Sequence, residues 1–119
     1  MPTSRENVLI VFSVILVFLM FSVSEKIDVI YFTDESCRAA IETNDIIFEI
    51  NSTLGKYIEL KIYDINSNET DAQALKQKYK IYGVPFIIIN GKPLKKTYTE
   101  ENIREAICKE FFIPPVECG

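Results

Sequence analysis

Ile30-Tyr31-Phe32-Thr33-Asp34-Glu35-Ser36-Cys37-Arg38-Ala39-Ala40 runs from β-branched and aromatic residues through a short polar turn and delivers one cysteine to the start of a helix. A thiol at that junction faces unpaired backbone N–H groups and the positive end of the helix dipole, and both favour thiolate over thiol. Upstream, the run extends back to Lys26, so Lys26 to Thr33 is expected as a buried central strand. Downstream, Ala40, Ile41, Ile47, Phe48, Ile50 and Leu54 are expected to form the apolar face of a helix ending near Gly55.

Farther out, Ile58 to Ile65 alternates Ile58, Leu60 and Ile62 with Glu59, Lys61 and Asp64, which predicts a second strand. Asn66-Ser67-Asn68 reads as a turn. Thr70 to Lys80 then reads as a helix capped by Thr70 or Asn68, with Ala72, Leu75 and Tyr79 inward and Gly83 and Pro85 ending it. Pro85 to Asn90 is a predicted strand, and Asn90-Gly91 is a strong hairpin signal that returns the chain through Pro93 to Tyr98. Thr99 caps the last helix, with Asn102 where a capping box prefers Glu or Gln. Ile103, Ala106, Ile107 and Phe111 form its inner face, and Pro114-Pro115 stops it. The order is strand, helix, strand, helix, strand, strand, helix, an α/β domain.

The 119 residues leave room for one domain. Segment 1–24 reads as a membrane anchor or signal, 25–112 as the folded domain and 113–119 as a C-terminal tail. Seventeen acidic against 13 basic residues give a formal charge of −4, with the lysines scattered rather than striped, which argues against nucleic acid. There is no histidine, so imidazole zinc sites, Ser-His-Asp triads and Cys-His dyads are excluded from within the chain. The three cysteines, Cys37, Cys108 and Cys118, fit no metal-ligand spacing, and neither a metal nor a cofactor is expected.

Residues 8–23 carry no charge and follow Arg5, which marks a membrane-directing segment. At about 1.5 Å per residue the run spans roughly 24 Å, shorter than the roughly 20 residues of a comfortable transmembrane helix. Two readings follow. An uncleaved single-pass anchor would hold Arg5 inside and the domain on the extracytoplasmic side, although Glu6 and Lys26 weaken that orientation. A cleavable signal would be cut near Ser24, where Ser22-Val23-Ser24 offers small residues to the peptidase, and the domain would be secreted. Asn51-Ser52-Thr53 and Asn68-Glu69-Thr70 match the N-glycosylation acceptor pattern that export would make usable.

The element order and two local signatures resemble the thioredoxin-like superfamily over about residues 26–112. Phe32 to Ala40 looks like the strand-turn-Cys-x-x-Cys-helix segment of small archaeal and glutaredoxin-like members. Tyr82-Gly83-Val84-Pro85-Phe86-Ile87-Ile88-Ile89-Asn90-Gly91-Lys92, with Pro85 placed 48 residues after Cys37, is similar to the family's Gly-Val-Pro-Thr strand and Asn-Gly-Lys hairpin. The resemblance implies a four-stranded mixed sheet, and the 8–23 run places one N-terminal hydrophobic helix before it. The resemblance also implies a cis Val84-Pro85 bond facing the Cys37 sulfur, with Val84 backbone groups free to pair with an extended peptide.

By the same resemblance Cys37 would be the nucleophile of a thiol-disulfide oxidoreductase. Arg38 would support the thiolate, Val84 and Pro85 would bind the partner, and protein or low-molecular-weight thiols and disulfides would be the substrates. Two positions depart from the family. Ala40 stands where dithiol members carry the resolving cysteine, and Tyr31 stands where thioredoxins proper carry a buried acid. A monothiol enzyme resolved by an external thiol is therefore expected, and the alternative is a redox-inactive module binding extended peptides at the Val84-Pro85 groove. For Cys108 and Cys118 three readings stand: a bridge closing the tail onto the last helix, a core thiol with a free tail thiol, or a tail thiol that reaches back to resolve Cys37.

Overall fold

The computed structural model describes the backbone of residues 3–23 and 26–119, and side chains over 6–17 and 26–119. Helix α1 covers Thr3–Val23, strand β1 Ile27–Thr33, helix α2 Arg38–Leu54 and strand β2 Ile58–Asp64. Helix α3 covers Thr70–Tyr79, strands β3 and β4 cover Phe86–Ile89 and Lys92–Pro93, and helix α4 covers Glu100–Cys108. The four strands lie in the order β2-β1-β3-β4. β1 runs parallel to β2, with Ile27 opposite Ile58, and antiparallel to β3, with Phe32 opposite Phe86.

β1 is the centre of the sheet and is buried on both faces, which is why it reads as an almost unbroken apolar run. Its side chains alternate between two cores. Ile27, Val29 and Tyr31 pack with Ile47, Ile50 and Leu54 of α2 and with Ile103 and Ile107 of α4. Ile30 and Phe32 pack on the opposite face with Ala72 of α3, Ile81 and Ile88. The parallel β1–β2 pair requires a long crossover, and α2 supplies it. The β3–β4 connection is two residues long, with Asn90 at φ 48° and Gly91 at φ 77°, the positive values a tight hairpin needs.

Four expectations are corrected. Ile41 and Phe48 are 50% and 64% exposed rather than inward. At about 100° per residue they lie near one another on the side of α2 turned away from Ala40, Ile47, Ile50 and Leu54. The returning hairpin strand is only Lys92–Pro93, because the chain leaves the sheet at Leu94 after its N–H bonds to the Ile87 carbonyl at 2.9 Å. The last helix ends at Cys108, so Phe111 packs on the core from the following turn, edge-on to Tyr57 at 6.1 Å, and not from the helix face. The cap of α3 is Glu69, one residue from either expected cap. At α4, by contrast, Thr99 Oγ1 accepts the Asn102 N–H at 3.1 Å.

The described side chains of α1, Glu6 to Val17, are exposed. Among the described residues no helix is long and apolar enough to cross a membrane. The remainder of the 8–23 apolar run lies outside the described side chains, and Ser24 lies outside the described residues altogether.

Candidate functional site

The site lies at the C-terminal end of β1. The Asp34 carboxylate folds the turn back on itself, accepting the Ser36 N–H at 3.0 Å and the Ser36 hydroxyl at 2.8 Å. Those bonds, the backbone one first, hold Asp34 below the usual carboxylate range. The Cys37 N–H donates to the Asp34 carbonyl at 3.0 Å, and the Cys37 carbonyl accepts from the Ile41 N–H at 3.1 Å. Cys37 is thereby the N-cap residue of α2, with extended φ −94° and ψ 120°, and its side chain makes no capping bond. Cys37 is half-buried at the helix start, as a free thiol.

Register brings the second signature to the same place. Phe32 pairs with Phe86, so Val84 and Pro85 lie just beyond the end of β1, on the side where the chain turns toward Cys37. Both are half-buried, the Val84-Pro85 peptide is cis, and Tyr82 just before them is 90% exposed. Arg38 is exposed on the first turn of α2, and among the described residues it forms no ion pair.

Beneath the turn lies a polar cluster that motif reading does not supply. The Tyr31 side chain, 1% exposed, carries its hydroxyl under α2. That hydroxyl donates to Asn44 Oδ1 at 2.6 Å, with the Ala40 carbonyl at 3.2 Å as a second acceptor. Asn44 Oδ1 also accepts from Thr33 Oγ1 at 3.0 Å. Burial pushes the Tyr31 phenol above the ordinary tyrosine value, contact with Thr33 opposes this, and charge on Cys37 adds to the rise. Tyr98 stands nearby on the same core, its hydroxyl accepting the Ile87 N–H at 3.2 Å, and burial raises its phenol too. A tyrosine six residues before the cysteine was legible, but Asn44 as its partner depends on the α2 packing.

Ala40 is fully buried and carries no sulfur. Cys108 and Cys118 are joined as a disulfide with their Cα atoms 5.8 Å apart. They pack on the α2–α4 core with Ile27 and Phe111, at the end of β1 opposite Cys37. The structure brings Cys37, Arg38, Val84 and Pro85 to one end of the sheet and keeps Cys108 and Cys118 at the other. Among the described residues no group of His, Cys, Asp or Glu is arranged to hold a metal ion. What remains is a single thiol at a helix start beside a proline-ended strand, able to attack a disulfide but with no internal thiol at position 40 to release the product.

No family model matches the chain, and no curated protein matches it. Solved structures do. A malarial protein is 24% identical, with 75% of this chain and 100% of that one covered at a TM-score of 0.57. The germline-specific thioredoxin Deadhead of Drosophila melanogaster is 14% identical over 77% of this chain and 88% of its own, with a TM-score of 0.59. Fasciola hepatica thioredoxin is 18% identical over 81% and 91%, with a TM-score of 0.56. With the strand order, the helix crossover and the position of Cys37 already placed, these likenesses establish that the chain has the thioredoxin-like fold.

Proposed function

We propose that this protein is a membrane-associated monothiol thiol-disulfide oxidoreductase acting outside the cytoplasm. The observation that carries the chemistry is the free Cys37 at the N-cap of α2, with Ala40 in the position a resolving thiol would take and the other two cysteines tied to each other. The Cys37 thiolate attacks one sulfur of a partner disulfide. A Cys37–partner S–S bond forms, the partner's own S–S bond breaks, and the departing thiolate takes up a proton. An external thiol must then attack the mixed disulfide to free Cys37. Val84 and Pro85 line the approach, and Arg38 contributes positive charge at its edge. Export is supported by the uncharged 8–23 run and by the Cys108–Cys118 disulfide, which suits an oxidising compartment.

A second reading, a non-catalytic module that holds extended peptides at the Val84-Pro85 groove, is favoured by Tyr82, an aromatic side chain left almost wholly exposed beside that groove. The two are separated by incubating the full chain and its Cys37→Ser variant with glutathione disulfide and with a disulfide-bonded peptide. The oxidoreductase reading expects one adduct on the parent chain, none on the variant, and quantitative release by reduced glutathione. Peptide retained equally by both proteins with no adduct on either would replace it with the binding reading.

A further inference from the structure

At the end of the molecule opposite Cys37, three large apolar side chains stand in solvent. Phe112, Ile113 and Val116 are 98%, 79% and 92% exposed. They are not on a loose tail. Their segment is closed by the Cys108–Cys118 disulfide, the Glu117 carbonyl accepts from Arg104 Nη1 at 3.2 Å, and Lys56 pairs with the Glu117 carboxylate at 3.7 Å. The loop is thus held with its apolar side chains outward, around an open groove of about 660 Å³ that Tyr57 and Pro115 help to line.

Where that loop lies supplies its partner. Phe112 also lines a cavity of about 190 Å³ together with Lys26 and Ile27. Lys26 follows Val23, the last residue of α1, by three positions, and three residues reach at most about 11 Å when extended. Whatever surface α1 enters therefore passes close to Phe112. We infer that the loop 112–116 seats in the interfacial layer of a lipid bilayer beside α1, as a second, preformed contact. The exposed Lys26 flanks it at the level where headgroup phosphates lie, with Glu110 lining the same cavity, and Lys56 on the other side is paired with Glu117. This rests on the membrane-anchored reading above. Two attachments fix orientation where a single helix with a short linker would leave the domain free to tumble. β1, seven residues long, separates Ile27 from the turn that leads to Cys37, about 20 Å at strand rise. The thiol is then presented away from the bilayer, toward soluble partners.

The chain contains no tryptophan, so single Trp reporters can test this directly. Leu16→Trp, Phe112→Trp, Val116→Trp and Tyr82→Trp variants of the full chain are reconstituted into phosphatidylcholine vesicles containing lipids brominated near the headgroup or deep in the chain. The expected result is deep quenching at position 16, shallow quenching at 112 and 116, and several-fold weaker quenching at 82. Quenching at 16 with 112 and 116 no more quenched than 82 would overturn the inference while leaving the anchor intact. Absence of quenching at 16 would overturn the anchored reading and this inference with it. Blue-shifted emission at 112 without bromine quenching would assign the loop to another copy of the chain and overturn the bilayer contact.

Discussion

Tyr31 is a departure in the sequence and a structural tie in the fold. Its hydroxyl ties β1 to Asn44 and the Ala40 carbonyl directly under the Cys37 turn. Removing it leaves those acceptors buried with one partner fewer, so Tyr31→Phe is expected to lower unfolding free energy by about 1–2 kcal/mol in urea titration. The pH dependence follows from the direction of the shift. The folded phenol holds its proton above the free value of 10.0, so the hydroxyl's stabilisation is complete below pH 10 and declines as pH rises beyond it. The stability difference between parent and Tyr31→Phe should therefore narrow above pH 10, and a constant difference would deny the shift. Position 40 carries the complementary test. Ala40→Cys places a second thiol three residues from Cys37, and glutathione adducts should then give way to an internal disulfide, detected by mass as loss of glutathione without added thiol.

At the scale of elements, periodicity exposed most of the fold and misplaced what depends on partners. Val29, Tyr31, Ile30 and Phe32 alternate on a strand buried on both faces, and Ala40, Ile47, Ile50 and Leu54 share one helical face, so β1 and α2 were legible from spacing. Ile41 and Phe48 lie roughly a third of a turn away from that face, and apolar character alone does not separate them from it without the angular spacing. The returning hairpin strand was overextended because Lys95, Lys96 and Thr97 carry no signal of where pairing stops. The extent of the core contact gives a direct check, since Ile50→Ala on α2, at a site 2% exposed, should cost about 2–5 kcal/mol while Phe48→Ala on the same helix should cost little. The tail disulfide closes a ring spanning ten residues of sequence separation, and reducing it should destabilise the domain by about 2.5–3 kcal/mol. Thermal unfolding of the Cys108→Ser/Cys118→Ser variant against the parent measures that loss independently of Cys37.

For the whole molecule, the two ends of β1 divide the labour. One end carries the free thiol, the half-buried Val84-Pro85 segment and the exposed Tyr82. The other carries the disulfide, the exposed apolar loop and the junction to α1. The Cys37 end is legible as a motif because backbone geometry and a thiol leave local signatures. The apolar loop is not, since Pro114-Pro115 reads as the stop of the last helix, whereas α4 ends at Cys108. The central claim is that the fold makes Cys37 a nucleophile, and because Cys37 is the single free thiol when the disulfide is intact, its reactivity can be read without labels. The most direct measurement is the second-order rate of its reaction with glutathione disulfide at neutral pH, in the folded chain and in the same chain unfolded in urea. A folded rate about tenfold or more above the unfolded one is expected for a thiol held in place at the start of α2 beside the Val84-Pro85 segment. A folded rate equal to or below the unfolded one would contradict it.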